Sequence, residues 1–251
     1  MTDNPLISII TITFNAARQI PATMESVGRQ DFTDFEHIII DGASSDETIP
    51  IARGMASPRL RVLSEPDNGL YDAMNKGLHM AKGRYVLFLN AGDAFHSPAI
   101  LSLYAEAAKK SPDIIYGDTV IVDSDRKLLG PRHLSVPDLL TFESFSKGML
   151  ICHQAFMVRK DLAPDYDTSY RFSADYDWTV RCLLRSKPGK CINLKTVVID
   201  YLSDGLTDKN KIPSLKERFR IMANHYGMGK TILRHLSFVW RAMRRRMSKT
   251  D

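Results

Sequence analysis

Short apolar runs alternate with helix-length segments through the first half of the chain, and that alternation narrows the folds open to it. Ile7 to Phe14, Phe35 to Ile40, Leu60 to Leu63, Tyr85 to Leu89 and Ile114 to Val122 are each rich in apolar or β-branched residues. All fall short of the roughly 20 residues that a bilayer span requires. Continuous apolar runs of this length suit strands covered on both faces. Between them lie helical stretches from about Arg18 to Arg29, from Ser45 or Asp46 to Met55, from Gly69 to Met80 and from Pro98 to Lys109. The pattern predicts an α/β fold, with a mostly parallel central sheet flanked by helices.

The run Tyr85 to Leu89 leads into Asn90-Ala91-Gly92-Asp93. A buried strand delivers the residues after it to the carboxyl edge of its sheet, where α/β proteins place ligands. An acid there, after a small flexible residue, can reach a metal or a phosphate. It reads equally as a cap for the helix near Pro98. The pattern loosens after Asp123. Pro131 to Phe145 reads as loop with a short helix near Val136 to Leu140, His153 to Val158 as a strand, Ser173 to Leu184 as a helix and Cys191 to Tyr201 as a last strand.

The net charge of +5 is unevenly placed. Residues 229–251 hold seven Lys/Arg and one acid, and the remaining 228 residues hold 27 Lys/Arg against 28 acids. The basic character therefore belongs to the tail, which argues against a broadly nucleic-acid-binding body. Cys152, Cys182 and Cys191 lack zinc-ligand spacing and read as reduced thiols of a cytosolic protein. The N-terminus has acid before its apolar run and no basic leader, so it does not read as a secretory signal.

Six segments, in order, resemble the family 2 glycosyltransferases of GT-A fold: ISIITITFN, HIIIDGASSDET, NGLYDAMNKG, FLNAGD, HQAFMVRK and ADYDWTVR. The resemblance covers roughly residues 6–204. DGASSD, GLYDAMNKG and LNAGD look like a bacterial branch that builds exopolysaccharide, colanic-acid-like polymer or O-antigen units. It implies a catalytic domain over 1–205, with a nucleotide-sugar half to about 123 and an acceptor half over 124–205, followed by helices over 206–251.

The site residues follow from the resemblance. Thr11, Thr13 and Asn15 match positions lining the nucleotide base and ribose, although Asn15 also reads as a turn cap. Asp41 matches an acid that contacts the base, and Gly42 stands where a second Asp is common. Asp72 and Asn75 are candidates for the donor sugar or phosphate region, with Lys76 beside them; Asp67 and Asn68 read as an Asx turn or donor contact. Asp93 matches the metal-holding acid. Asn90 and Gly92, counted with the donor-binding positions, replace the family's other acids: Gly92 forgoes a ribose contact that Asn90 could make from the other side, and the donor diphosphate is left to share coordination of Mg²⁺ or Mn²⁺. Asp175 matches the catalytic base. Asp177 lies about 200° round the helix from it and suits pairing with Arg181 at i,i+4. His153 and Gln154 border the acceptor in the family, yet an apolar-flanked His is also often a core residue. Tyr176 and Trp178 offer a sugar-stacking face or core packing. Asp204-Gly205 falls in a loop placed to close over the donor.

The activity so implied is inverting transfer from a nucleotide-diphosphate sugar, UDP-linked in preference to GDP-linked, to a saccharide or lipid-linked saccharide. A non-catalytic sugar-nucleotide-binding scaffold is the alternative. A nucleotidyltransferase is disfavoured because TFNAARQI carries only Arg18 where a phosphate loop would be basic and glycine-rich. Within the tail, Ile232, Leu233, Leu236, Val239, Trp240, Met243 and Met247 fall on one face at helical spacing, with Lys230, Arg234, Arg241, Arg244 and Arg245 opposite and Phe238 and Arg246 as exceptions. Such a helix suits the inner surface of the cell membrane, packing on its own domain, or a homodimer contact. The expected location is cytoplasmic, peripheral to that membrane.

Overall fold

The computed structural model describes residues 4–55, 57–203 and 211–247, with side chains described as far as 238. The Asp204-Gly205 loop, and the side chains of the tail from Val239 on, lie outside the described residues.

Three of the strands expected from the sequence form a parallel core. β1 (Ile7–Thr13) lies between β2 (Phe35–Asp41) and β4 (Tyr85–Phe88), and β3 (Leu60–Ser64) extends the sheet beyond β2. All seven residues of β1 and of β2 and all four of β4 are buried, because α1 (Ile20–Gly28), α2 (Thr48–Gly54), α3 (Leu70–Met80) and α4 (Ile100–Ala108) cover the sheet. α3 packs very closely on β1. A Cβ at Gly77 would stand 2.4 Å from Ile10 Cγ2, so only glycine allows that approach.

The second half makes the sheet mixed. The strand order is β3-β2-β1-β4-β8-β6-β9-β5. β8 (Phe156–Arg159) runs antiparallel to both of its neighbours, β4 and β6 (Ile114–Val122). β9 (Cys191–Leu202) runs parallel to β6 and carries the two-residue β5 (Ala94–Phe95) antiparallel on its other side. β7 (Leu128–Pro131) folds back on β6 as a hairpin. In place of the helix expected at Val136 to Leu140, a 3-10 turn forms at Phe142–Lys147, capped by Thr141, whose hydroxyl accepts from the Ser144 N–H.

α5 (Ala174–Arg185) follows β8, and α6 (Lys211–Tyr226) and α7 (Met228–Met247) follow β9. α6 is built into the body. Ile221 and Met222 are fully buried, Tyr226 stacks on Phe142 at 4.5 Å, and His225 Nε2 lies 2.7 Å from Asp177 Oδ1. The Glu217 carboxylate accepts the N–H groups of Arg171, Phe172 and Ser173 at 2.8, 2.8 and 3.0 Å. It thus satisfies the donors that lead into the first turn of α5. Among the described residues, no helix is long and apolar enough to cross a membrane.

Candidate active site

The carboxyl ends of β1 and β4 open into a cleft of about 390 Å³. Its base is formed by Thr13, Asn15, Asn90, Ala91 and Asp93, one wall by Leu70, Tyr71 and Met74 of α3, and the other by His153, Gln154, Arg171, Phe172 and Asp175. Tyr201 and Leu202, at the end of β9, close the back.

The Asn90–Asp93 turn is held from three sides. Thr23 of α1 receives the Gly92 N–H at 2.9 Å and donates to the Asp93 carbonyl at 2.7 Å. Arg126, from the β6–β7 hairpin, donates to the Gly92 carbonyl at 2.6 Å. Gly92 has φ +100°, and a Cβ there would stand 2.7 Å from Leu202 Cδ2. This geometry gives a physical reason for glycine at a position where the family commonly has an acid. Asp93 is 4% exposed, and its Oδ1 accepts the Leu202 N–H at 3.0 Å. Burial pushes its carboxyl up to about 7, opposed by the Leu202 N–H, the Arg126 guanidinium and the Gln154 side chain.

Asp175 stands in the first turn of α5, across the cleft. Its Oδ1 accepts from the Tyr71 hydroxyl, on the opposite wall, at 3.4 Å and from the Tyr176 N–H at 2.8 Å. Among the described residues Oδ2 has no hydrogen-bond partner, so that oxygen is available to a ligand. Thr13 Oγ1 and Asn90 Oδ1 are buried and have no hydrogen-bond partner among the described residues.

Several residues expected at the site stand elsewhere. Thr11 is fully buried, donating to the Leu89 carbonyl at 2.7 Å and paired with His37 Nε2 at 2.9 Å, so it ties β1 to its neighbours. Asp41 does not line the cleft, because its carboxylate is taken up by the Ser44 N–H, the Ser44 hydroxyl and the Ser64 hydroxyl. The space beside Gly42 is filled by Asp67, whose Oδ2 would lie 2.6 Å from a Cβ there. Asn15 has φ 47° and accepts the Ser45 N–H at 2.9 Å, so it caps that turn while edging the cleft. Asp72 accepts the Asn68 N–H at 2.9 Å and lines an adjoining groove. Asn75 is bonded in both directions to the Tyr166 backbone, and Lys76 pairs with Glu65 at 2.8 Å.

Tyr176 and Trp178 are fully buried, with the Tyr176 hydroxyl on the Phe145 carbonyl and the indole N–H on the Pro164 carbonyl, both at 2.7 Å. Burial leaves neither with a face for a sugar. His153 touches the cleft but is 4% exposed, stacks on Phe88 at 5.0 Å and bonds to the Tyr166 hydroxyl; burial lowers its pKa to about 4, so it is neutral. Asp177 lies on another side of α5, between Arg181 Nε at 2.6 Å and His225 at 2.7 Å.

Phe14, Tyr71, Arg171 and Phe172 also line the cleft, although sequence reasoning misses all four. Phe14 is 63% exposed, an unusual position for a large apolar ring, and it directly follows the first strand. That placement is the one sequence signal that points to it.

No cluster of three His, Cys, Asp or Glu side chains suited to a metal occurs among the described residues. The side-chain oxygens of Asp93 and Asn90 are hard donors of the kind Mg²⁺ and Mn²⁺ prefer.

Residues 8–166 match the family described as glycosyl transferase family 2. The chain is 34% identical over 231 residues to a PGL/p-HBAD biosynthesis glycosyltransferase of Mycobacterium bovis, covering 86% of each chain. Its fold is similar to that of S. aureus TarS 1–349 in complex with UDP-GlcNAc, with a TM-score of 0.66, 18% identity, and coverage of 92% of this chain and 73% of that one. It is similar too to the mannosyltransferase PcManGT from Pyrobaculum calidifontis in complex with GDP-Man and Mn²⁺, with a TM-score of 0.61, 14% identity, and coverage of 94% and 75%.

Proposed function

The chain belongs to glycosyl transferase family 2, and from that premise we propose that it is an inverting glycosyltransferase acting on a nucleotide-diphosphate sugar, UDP-linked by preference. The acceptor is a saccharide, in our reading lipid-linked, in the building of a bacterial surface polysaccharide of the exopolysaccharide or O-antigen kind. One observation supports the proposal: Asp93 and Asp175, 82 positions apart in the chain, line one cleft together with Thr13 and Asn90.

The roles follow from the geometry. The exposed ring of Phe14 offers a stacking surface for the base at the mouth of the cleft. Asp93, with Asn90, would hold a divalent cation, and that cation, when bound, offsets the charge growing on the departing diphosphate. Arg171 adds a guanidinium on the same cleft. Asp175 Oδ2 takes the acceptor hydroxyl proton as the acceptor oxygen bonds to the anomeric carbon. The bond from that carbon to the diphosphate oxygen breaks on the opposite face, so the configuration inverts. The Tyr71 hydroxyl and the Tyr176 N–H orient the base through Oδ1.

The test is binding and turnover across a panel of nucleotide sugars with Mg²⁺ or Mn²⁺. Asp175→Ala should lose about 10²–10⁴ of turnover with an unchanged circular dichroism spectrum. Asp93→Ala should lose turnover and its response to Mn²⁺. Full activity in both variants refutes the assignment.

A further inference from the structure

α7 is amphipathic, and the structure shows which way it faces. Its contact with the body is made by Thr231, which is fully buried, by His235, whose ring lies 4.8 Å from that of Phe219, by Phe238, which packs on the main core, and by Lys230, whose ammonium pairs with Glu143. The apolar arc points elsewhere. Met228, Ile232, Leu233 and Leu236 are 56%, 46%, 69% and 63% exposed. The helix thus turns its polar and mixed side to the protein and its hydrophobic side outward, the reverse of an ordinary surface helix.

Charge decides what covers that face. Residues 229–251 carry a net +6, although Lys230 is paired with Glu143 of the body. Two copies meeting on this face would oppose two such segments, so like charge disfavours a dimer here. An anionic lipid surface matches both properties, apolar side chains entering the acyl boundary while arginines meet the headgroups.

We propose that α7 docks the protein on an anionic membrane surface through the arc Met228, Ile232, Leu233 and Leu236. The inference rests on the glycosyltransferase reading only for its purpose, which is to bring the cleft to a lipid-linked acceptor. α6 joins the two directly: it ends at Tyr226, one residue before α7, and its Glu217 caps the segment that carries Arg171 and leads to Asp175.

The experiment is flotation of the full chain with phosphatidylcholine vesicles, with and without phosphatidylglycerol, beside light scattering of the protein alone. The parent should float with phosphatidylglycerol vesicles, be released by raised salt and stay below with phosphatidylcholine alone. The double variant Leu233→Glu, Leu236→Glu should lose about tenfold or more of that partition, while its nucleotide-sugar binding is unchanged. Failure of the parent to float, or a double variant that floats like the parent, overturns the proposal. A dimer of the parent that the double variant dissolves also overturns it and assigns the face to a second copy. Flotation does not depend on turnover, so loss of activity in the Asp175 variant and loss of vesicle binding report separately on the two readings.

Discussion

Replacing Gly92 by Ala tests whether backbone geometry, rather than chemistry, keeps a side chain out of the Asn90–Asp93 turn. The left-handed φ of +100° costs an L-residue roughly 1–2 kcal/mol. The turn cannot relax cheaply to negative φ, since the Gly92 N–H and carbonyl are both bonded, to Thr23 and Arg126. The new Cβ also meets Leu202 Cδ2 at 2.7 Å. That atom ends a flexible side chain, so turning it aside costs about 0.5–1.5 kcal/mol. Together these place Gly92→Ala roughly 1.5–3.5 kcal/mol below the parent, measured as the shift in urea midpoint at constant slope. In a Leu202→Ala background the penalty should shrink by the steric share alone, leaving the roughly 1–2 kcal/mol of backbone strain. Gly92→Asp should suffer the same strain, so adding the missing acid should lower the response to Mn²⁺ instead of raising it. A Gly92→Ala protein within about 0.5 kcal/mol of the parent, or a Gly92→Asp protein with tighter Mn²⁺ binding, would refute the reasoning.

Two further expectations concern buried titratable groups. Asp177→Ala strips the partner from both Arg181 and His225, and because Asp177 is 5% exposed the loss should be about 3–5 kcal/mol in thermal or urea unfolding. His37 is buried and held near a pKa of about 4 by desolvation, against 6.5 unfolded. Its folded form resists a proton that the unfolded chain accepts, so stability is full above pH 6.5 and is lost as the pH falls toward 4. The share of that loss due to His37 is on the order of 3 kcal/mol and should be missing from the pH–stability curve of His37→Gln.

Much of this architecture is legible in the sequence because β1, β2 and β4 are buried on both faces and so read as unbroken apolar runs. The same property hides strand direction, and β8, four residues long and equally apolar, carries no mark of running antiparallel. β5 has two residues, too few to show any period, and β7 pairs on one side only, with Leu128 and Leu129 exposed. At the site, motif order locates Asp93 and Asp175 but not their meeting in one cleft. Thr11 and Thr13 share a strand face, yet Thr13 lies at the edge, and Thr11 sits two residues deeper, under His37 and Leu89. Tyr176 is next to Asp175 in sequence but about 100° round the helix, which is enough to bury it. The apolar face of α7 is readable from spacing. Which side meets the protein is decided by Thr231, His235 and Phe238, and no periodicity reveals that.

The cap that Glu217 places on residues 171–173 also orders events in time. A chain emerging from the ribosome makes β1 and β4 early, yet the Asp93 turn waits for Arg126 and Leu202, and the N–H groups of Arg171, Phe172 and Ser173 wait for a carboxylate more than forty residues downstream. The wall that carries Asp175 is therefore finished late, with α6, and α7 is made immediately after it. Both walls of the cleft are thus closed by residues made late, Leu202 for Asp93 and Glu217 for the segment before Asp175, so the cleft is completed only when nearly the whole chain is made.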